Sequence, residues 1–254
     1  MSKYEADYCC ISNIGKHRKI NQDNFIVEGR YLKNHEPYMT EPLTGSYKGG
    51  KPMIVGVFDG MGGEECGEVA SFLASEAASQ TGDFDDPLDA VLNICERAND
   101  SICRYARENS VETMGTTGAM LAFSEDGVTL CNIGDSRIFH YASGELKQIS
   151  VDHTAPYIYG GKPPLSQNLG IPPEEMMIEP YVARGRYQDG DRYLISSDGL
   201  TDMVSEDRIA QIISENDIKS ATEKLLQAAL DNGGKDNITI ILCKITKKGF
   251  FARL

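Results

Sequence analysis

MIVGVFDG at positions 53–60 is an apolar run that stops on an aspartate and a glycine. The pattern recurs: RYLISSDG at 192–199 ends on Asp198 and Gly199, and KDNITIIL at 235–242 starts from Asp236. Short runs rich in β-branched and aromatic residues, bounded by turn formers, read as strands. Within these stretches strands are expected at 53–58, 193–196 and 238–243, with others at 6–11, 117–123, 128–133, 138–141 and 176–182. So many strands exclude a helical bundle.

Helices lie between them. Positions 87–108 set Leu88, Val91, Leu92, Cys95, Ile102 and Tyr105 on one stripe, with Asp86 as N-cap and Pro87 at the first helical position. Further helices are expected at 65–79, from Glu206 after a Ser205 cap, and at 218–230, ending near Gly233 and Gly234. Paired helices suit an α+β fold of two packed sheets with helices outside better than a regularly alternating parallel sheet. No linker or repeat divides the chain, so one domain over 1–254 is expected, and the turn-rich stretch 31–51 reads as an exposed hairpin or loop.

A formal net charge of -13 argues against a general nucleic-acid binder, because phosphate backbones need Lys and Arg to displace counterions. Cations fit better as partners. The start MSKYEADYCC lacks the basic-then-apolar pattern of a leader, and no apolar run is long enough to span a bilayer, so the expectation is a cytoplasmic protein without a membrane partner. Seven cysteines without a C-x-x-C pair read as reduced and mostly buried.

Asp59, Asp198 and Asp236 stand at strand ends, and Asp135 in VTLCNIGDSRIFHY occupies a tight turn between two strands. Any one of these reads equally well as a local turn acceptor. Together they could converge at one rim of a sandwich. Four converging carboxylates would repel by roughly 4 kcal/mol per close pair at an effective dielectric near 20. Dications remove that repulsion, and oxygen-only donors select Mg²⁺ or Mn²⁺ over Zn²⁺. In GKHRKINQDN, Arg18 lies five residues before Asp23 and offers a forked donor set that matches phosphate.

RKINQD, VFDGMGG, MGTTG, NIGDSR, DHT, LISSDGLTD and KDNIT occur in the order seen in the metal-dependent protein phosphatases (PPM, type 2C), which the chain resembles over roughly its whole length. The resemblance implies a four-layer α-β-β-α sandwich with two central antiparallel sheets, and a monomeric serine/threonine phosphatase acting on phosphorylated proteins that are kinase targets. It implies that Asp59 bridges two Mn²⁺ or Mg²⁺ ions, the Gly60 carbonyl ligates one, and Asp198 and Asp236 complete the pair. Asp135 with Asp198 would hold a weaker third ion. Asp23 would hydrogen-bond a metal-held water, and Arg18 would hold the phosphate. A hydroxide bridging the metals would attack phosphorus directly, with no covalent phosphoenzyme.

Two departures stand out. Met61 occupies the position where some members carry a histidine suited to protonating the leaving group, and the flap after Asp152 and His153 is reduced to APYIYGGKPP at 155–164. Two other readings compete with this one. Cys131 to Arg137 has the C-x-x-G-x-x-R spacing of cysteine phosphatases, but Asp135 puts a carboxylate inside the loop and IFHY reads as a strand where a helix N-terminus is needed. A catalytically silent binding module should have lost the aspartates and Arg18. His153 reads as a structural hydrogen-bonding residue, His17 as exposed, His35 and His140 as without a metal role, and Glu64-Glu65 and Glu174-Glu175 as solvated faces or first-turn helix charges.

Overall fold

The computed structural model describes residues 3–33, 38–61, 66–82, 84–125, 127–156 and 163–248. The two ends of the chain meet in one sheet: β1 (Tyr4–Asn13) pairs antiparallel with β11 (Ile238–Lys247) along its whole length, from Tyr4 opposite Lys247 to Asn13 opposite Ile238. That sheet is completed by β3 (Leu43–Tyr47), β7 (Arg137–Ala142), β8 (Glu145–Gln148) and β10 (Arg192–Ser196), in the order β3-β1-β11-β10-β7-β8. The second sheet runs β2-β4-β5-β6-β9, from β2 (Asp23–Val27), β4 (Met53–Asp59), β5 (Gly118–Phe123), β6 (Val128–Ile133) and β9 (Tyr181–Gly185).

The sheets pack face to face and each carries a helix pair on its outer face. Helices α1 (Gly67–Ser79) and α2 (Pro87–Asn109) cover the second sheet, and α4 (Glu206–Glu215) and α5 (Ile218–Asp231) cover the first. Three apolar layers follow from the period-2 alternation of strands. In β5, Ala119, Leu121 and Phe123 face the other sheet while Met120 and Ala122 face the helices. In β11, Ile241, Cys243 and Ile245 face inward while Ile238, Ile240 and Leu242 meet the helices. Strands buried on both faces read as unbroken apolar runs, which is why these were visible in the sequence.

The ends of α2 and α5 follow their local chemistry. The Asp86 carboxylate accepts from the Leu88 amide, and Asp217 accepts from Lys219 and Ser220. After α5, Gly234 has φ +54° and its amide returns to the Ala229 carbonyl, closing the helix where two glycines were read as a stop.

Three expectations are corrected. The strand read at 176–182 is β9 at Tyr181–Gly185, because Pro172 and Pro173 hold the segment before it in a turn in which the Glu175 and Met176 amides reach the Pro172 carbonyl. The stretch 31–51 contains an edge strand, β3, whose half-exposed LTGSY has no apolar alternation to reveal it. Described helix α1 starts at Gly67, after Cys66 in the left-handed region; residues 62–65, including Glu64 and Glu65, lie outside the described residues. Asp135 lies in the tight turn between two strands read for it, and those strands, β6 and β7, belong to different sheets. His35 and most of the short flap also lie outside the described residues.

Phe123 is fully buried between the sheets, edge-on to Tyr193 at 5.9 Å between centroids. Phe123→Ala should cost about 3–5 kcal/mol in denaturant unfolding through transfer and cavity terms. Met177→Ala, at a site 73% exposed, should change stability by less than about 0.5 kcal/mol.

Candidate active site

Asp59 ends β4, Asp198 follows β10 at the start of the short helix α3 (Asp198–Thr201), Asp236 lies just before β11, and Asp135 sits in the crossover from β6 to β7. These turns open on one cleft of about 540 Å³, lined by Arg18, Asp59, Gly60, Met61, Thr117, Asp135, Pro163, Pro164, Leu165, Asn168, Asp198, Asp202 and Asp236. Of the seven residues that the resemblance assigns to the site, Arg18, Asp23, Asp59, Gly60, Asp135, Asp198 and Asp236, all but Asp23 are on this lining. Asp23 lies at the start of β2, 3% exposed, with Asp59 opposite it on β4.

Glycines at the strand ends serve close approach. A Cβ on Gly60 would stand 2.2 Å from the Gly67 carbonyl oxygen, and one on Gly199 would stand 1.9 Å from that of Asn237. Any side chain would push apart the backbone segments that carry Asp59, Asp198 and Asp236.

Polar side chains hidden from sequence reading hold the acidic turns in place. The Asn237 side chain accepts from the Gln22 amide at 2.8 Å and donates to the carbonyls of Ile14 and Ile20, pinning the loop that carries Arg18. Thr117 Oγ1 accepts from the Asp59 amide at 3.0 Å and contacts Ser136 Oγ at 2.7 Å, tying the end of β4 to the turn of Asp135. His153 completes that turn: its Nδ1 accepts from the Gly134 amide at 3.1 Å, and its own amide donates to the Gly134 carbonyl. The His153 ring is held below its usual pKa, chiefly by burial, which keeps it a neutral acceptor. Asp202 joins the lining because, as the residue that caps the C-terminal end of α3, it follows Asp198 by four residues with its amide bonded to the Asp198 carbonyl, a spacing visible in LISSDGLTD.

Arg18 Nη2 lies 2.7 Å from Asp236 Oδ2, with both side chains about one-third exposed. That hydrogen bond is the main reason the guanidinium pKa is raised, and the charges of Asp59 and Asp198 add to it. Cys131 is elsewhere. It is fully buried in β6 with its Sγ 3.6 Å from Cys95 Sγ of α2, and the Cys95 contact followed by burial drives the thiol well above its usual pKa. Its environment is opposite to that of a thiolate nucleophile, and the cysteine-phosphatase reading is set aside.

Residues 44–242 match the profile of the family described as Protein phosphatase 2C. The chain belongs to that family. It is 32% identical over 207 residues to the serine/threonine protein phosphatase PstP of Mycobacterium tuberculosis, covering 76% of this chain and 40% of the relative. The chain therefore spans less than half the length of that relative. It is 27% identical over 241 residues to the protein phosphatase PhpP of Streptococcus pneumoniae, covering 87% of this chain and 95% of the other. Among solved structures, the PstP catalytic domain in complex with two manganese ions superposes with a TM-score of 0.75 at 27% identity, covering 96% of this chain and 99% of that one. The four-layer architecture is that of the protein phosphatase 2C fold.

The donor set fits hard dications. The carboxylates and the Gly60 carbonyl offer oxygen alone, and the acids on the lining outnumber its arginine. Among the described residues, no three His, Cys, Asp or Glu side chains close around one point as a metal cage. Mg²⁺-like ions held by one or two carboxylates and several waters do not require such a cage. Asp23 lies behind this wall. Its Oδ2 accepts from Ser197 Oγ at 2.7 Å, while Oδ1 is buried without a hydrogen-bond partner. Ser197 Oγ also accepts from the Thr239 amide, and Thr239 Oγ1 contacts Ser12 Oγ at 2.8 Å, so one polar thread joins β10, β11, β1 and the start of β2.

Burial, opposed by the hydroxyls of Ser197 and Thr239 and reinforced by Asp198 and Asp236, pushes the Asp23 carboxyl up to about 7. A folded-state pKa above the unfolded value means that the native state holds the proton longer. Metal-free protein should therefore lose stability as pH rises from about 4 to about 7, by an amount on the order of a few kcal/mol. Asp23→Asn cannot ionise and should flatten that slope in thermal melts run in chelator from pH 4.5 to 8. An unchanged slope would place the proton on another group.

Proposed function

We propose that this chain is a metal-dependent phosphatase that hydrolyses phosphoserine and phosphothreonine in proteins. The observation that carries the reading is the convergence of Asp59, Asp135, Asp198 and Asp236, from strand ends of both sheets, with Arg18 on one cleft. Asp59, the Gly60 carbonyl, Asp198 and Asp236 would hold two Mn²⁺ or Mg²⁺ ions, and Asp135 with Asp198 a third. When bound, such ions lower the pKa of water and offset phosphate charge.

The chain's own contribution is orientation and charge. Arg18 exchanges Asp236 for the substrate phosphate, and a partly exposed ion pair of this kind is worth only about 0–1 kcal/mol, so release costs little. The fork of its guanidinium then meets two phosphate oxygens and stabilises charge in the transition state. Met61 lines the cleft without an acidic proton, and His153 is committed to Gly134. The leaving oxygen is therefore protonated from water in the cleft. Asp23 supports the wall from behind and acts through the Asp198 turn. The setting we propose is the cytoplasm, where the seven free thiols stay reduced, with the chain acting as a monomeric single domain. Among the described residues, no helix is long and apolar enough to cross a membrane.

Purified protein should hydrolyse phosphothreonine and phosphoserine peptides in Mn²⁺ or Mg²⁺ and lose turnover in EDTA, while Cys131→Ala retains most of it. Activity that survives EDTA would overturn the metal-dependent reading, and no turnover of any phosphopeptide or aryl phosphate with any metal would favour a silent binding module. Arg18→Ala should raise KM and lower kcat/KM by about tenfold or more, consistent with loss of charge-assisted bonds, while Tm hardly moves. Lys at position 18 should rescue only in part, because a point charge lacks the fork. Unaltered kinetics would show that phosphate is held elsewhere.

A further inference from the structure

We propose that a groove beside the catalytic cleft binds the polypeptide flanking the phosphorylated residue and selects basic side chains in it. The proposal rests on the phosphatase reading above. The groove has a volume of about 460 Å³ and lies between the C-terminal end of α2 and the segment 168–175. It shares two wall residues, Met61 and Asn168, with the catalytic cleft. A chain whose phosphoresidue enters the cleft therefore passes over Met61 and Asn168 into the groove.

The surface is built for such an occupant. Its apolar part includes Met114, 4% exposed, with Ala106 and Ile171, which suits the methylene stems of Lys and Arg. Its exposed acidic residues are Glu112, Glu174 and Glu175; Arg107 offsets one of the three charges and leaves an acidic excess.

The wall is rigid. The buried Asn99 side chain on α2 accepts from the amides of Gly170 and Ile171, at 2.7 and 3.1 Å, and donates to the Ile171 carbonyl at 2.9 Å. Thr116 and Leu169 exchange backbone hydrogen bonds in both directions, fixing the same segment to the strand end that follows Met114. The turn closed on the Pro172 carbonyl then presents Glu174 and Glu175 at a set position. The backbone that carries Glu174 and Glu175 is thus fixed beside the groove.

The test compares two phosphothreonine peptides, one with Arg and one with Glu at the positions flanking the phosphoresidue, each as a kcat/KM in Mn²⁺. Turnover of an aryl phosphate, too small to reach the groove, normalises every protein. The Arg peptide should be preferred by about tenfold at low salt, as a few partly screened ion pairs provide, and the preference should fade at high salt. In the triple variant Glu112→Gln, Glu174→Gln, Glu175→Gln, the ratio of the two peptides should fall to near one. Equal use of the peptides by the unmodified protein, or a preference that survives the triple variant, overturns the proposal. Failure to turn over either peptide or the aryl phosphate would instead sink the phosphatase reading. In that event fluorescence anisotropy with the same labelled peptides still decides the groove: tighter binding of the Arg peptide, lost in the triple variant, supports it, and equal binding overturns it.

Discussion

The structure depends on holding like charges together. Asp59, Asp135, Asp198, Asp202 and Asp236 face one cleft with Arg18 as the lining's cation, an arrangement that electrostatics alone would scatter. The turns of Asp59 and Asp135 are held by bonds that do not involve their carboxylates. Asn237 fastens the Arg18 loop, Thr117 fastens the Asp59 end to the Asp135 turn, and His153 closes that turn from the other side. The repulsion is therefore carried by backbone anchors, and it becomes an attraction for dications and for the guanidinium that pairs with Asp236.

Those anchors work because the strands beneath them cannot slip. A one-residue shift in β5 or β11 would exchange the inter-sheet set for the helix-facing set, and both sets are buried apolar side chains of different size and shape. Register is set by packing on two faces at once. Aspartates at the ends of such strands inherit that fixed position, which places ligands more firmly than a mobile loop could.

The two walls of the cleft have different origins. The acidic side is made by the ends of both sheets, whereas the Met61 and Asn168 side is tied through Asn99 to α2 and through Thr116 and Leu169 to the start of β5. Chemistry and recognition of the surrounding polypeptide can thus vary separately. The reduced stretch after His153 leaves the segment from Pro163 to Glu175 as the described boundary on the substrate side.

The sequence by itself determined the elements whose signal is local. Strands buried on both faces appear as apolar runs, Asp86 and Ser205 cap the starts of two helices, and the paired glycines after α5 mark a stop. The acid residues and Arg18 were also legible, as residue types at strand ends and in ordered motifs. Edge strands β2, β3 and β8 were not: β3 and β8 are half-exposed and defined by their neighbours' hydrogen bonds more than by their own side chains, and β2 is a buried five-residue strand that opens on the polar pair Asp23 and Asn24. Only the tertiary structure decided that Asp135 crosses between sheets, that Asn99, Thr117 and Asn237 brace the cleft, and that Arg18 rests on Asp236. Each of those is a contact between segments far apart in the chain, and its energy exists only once the two sheets have closed.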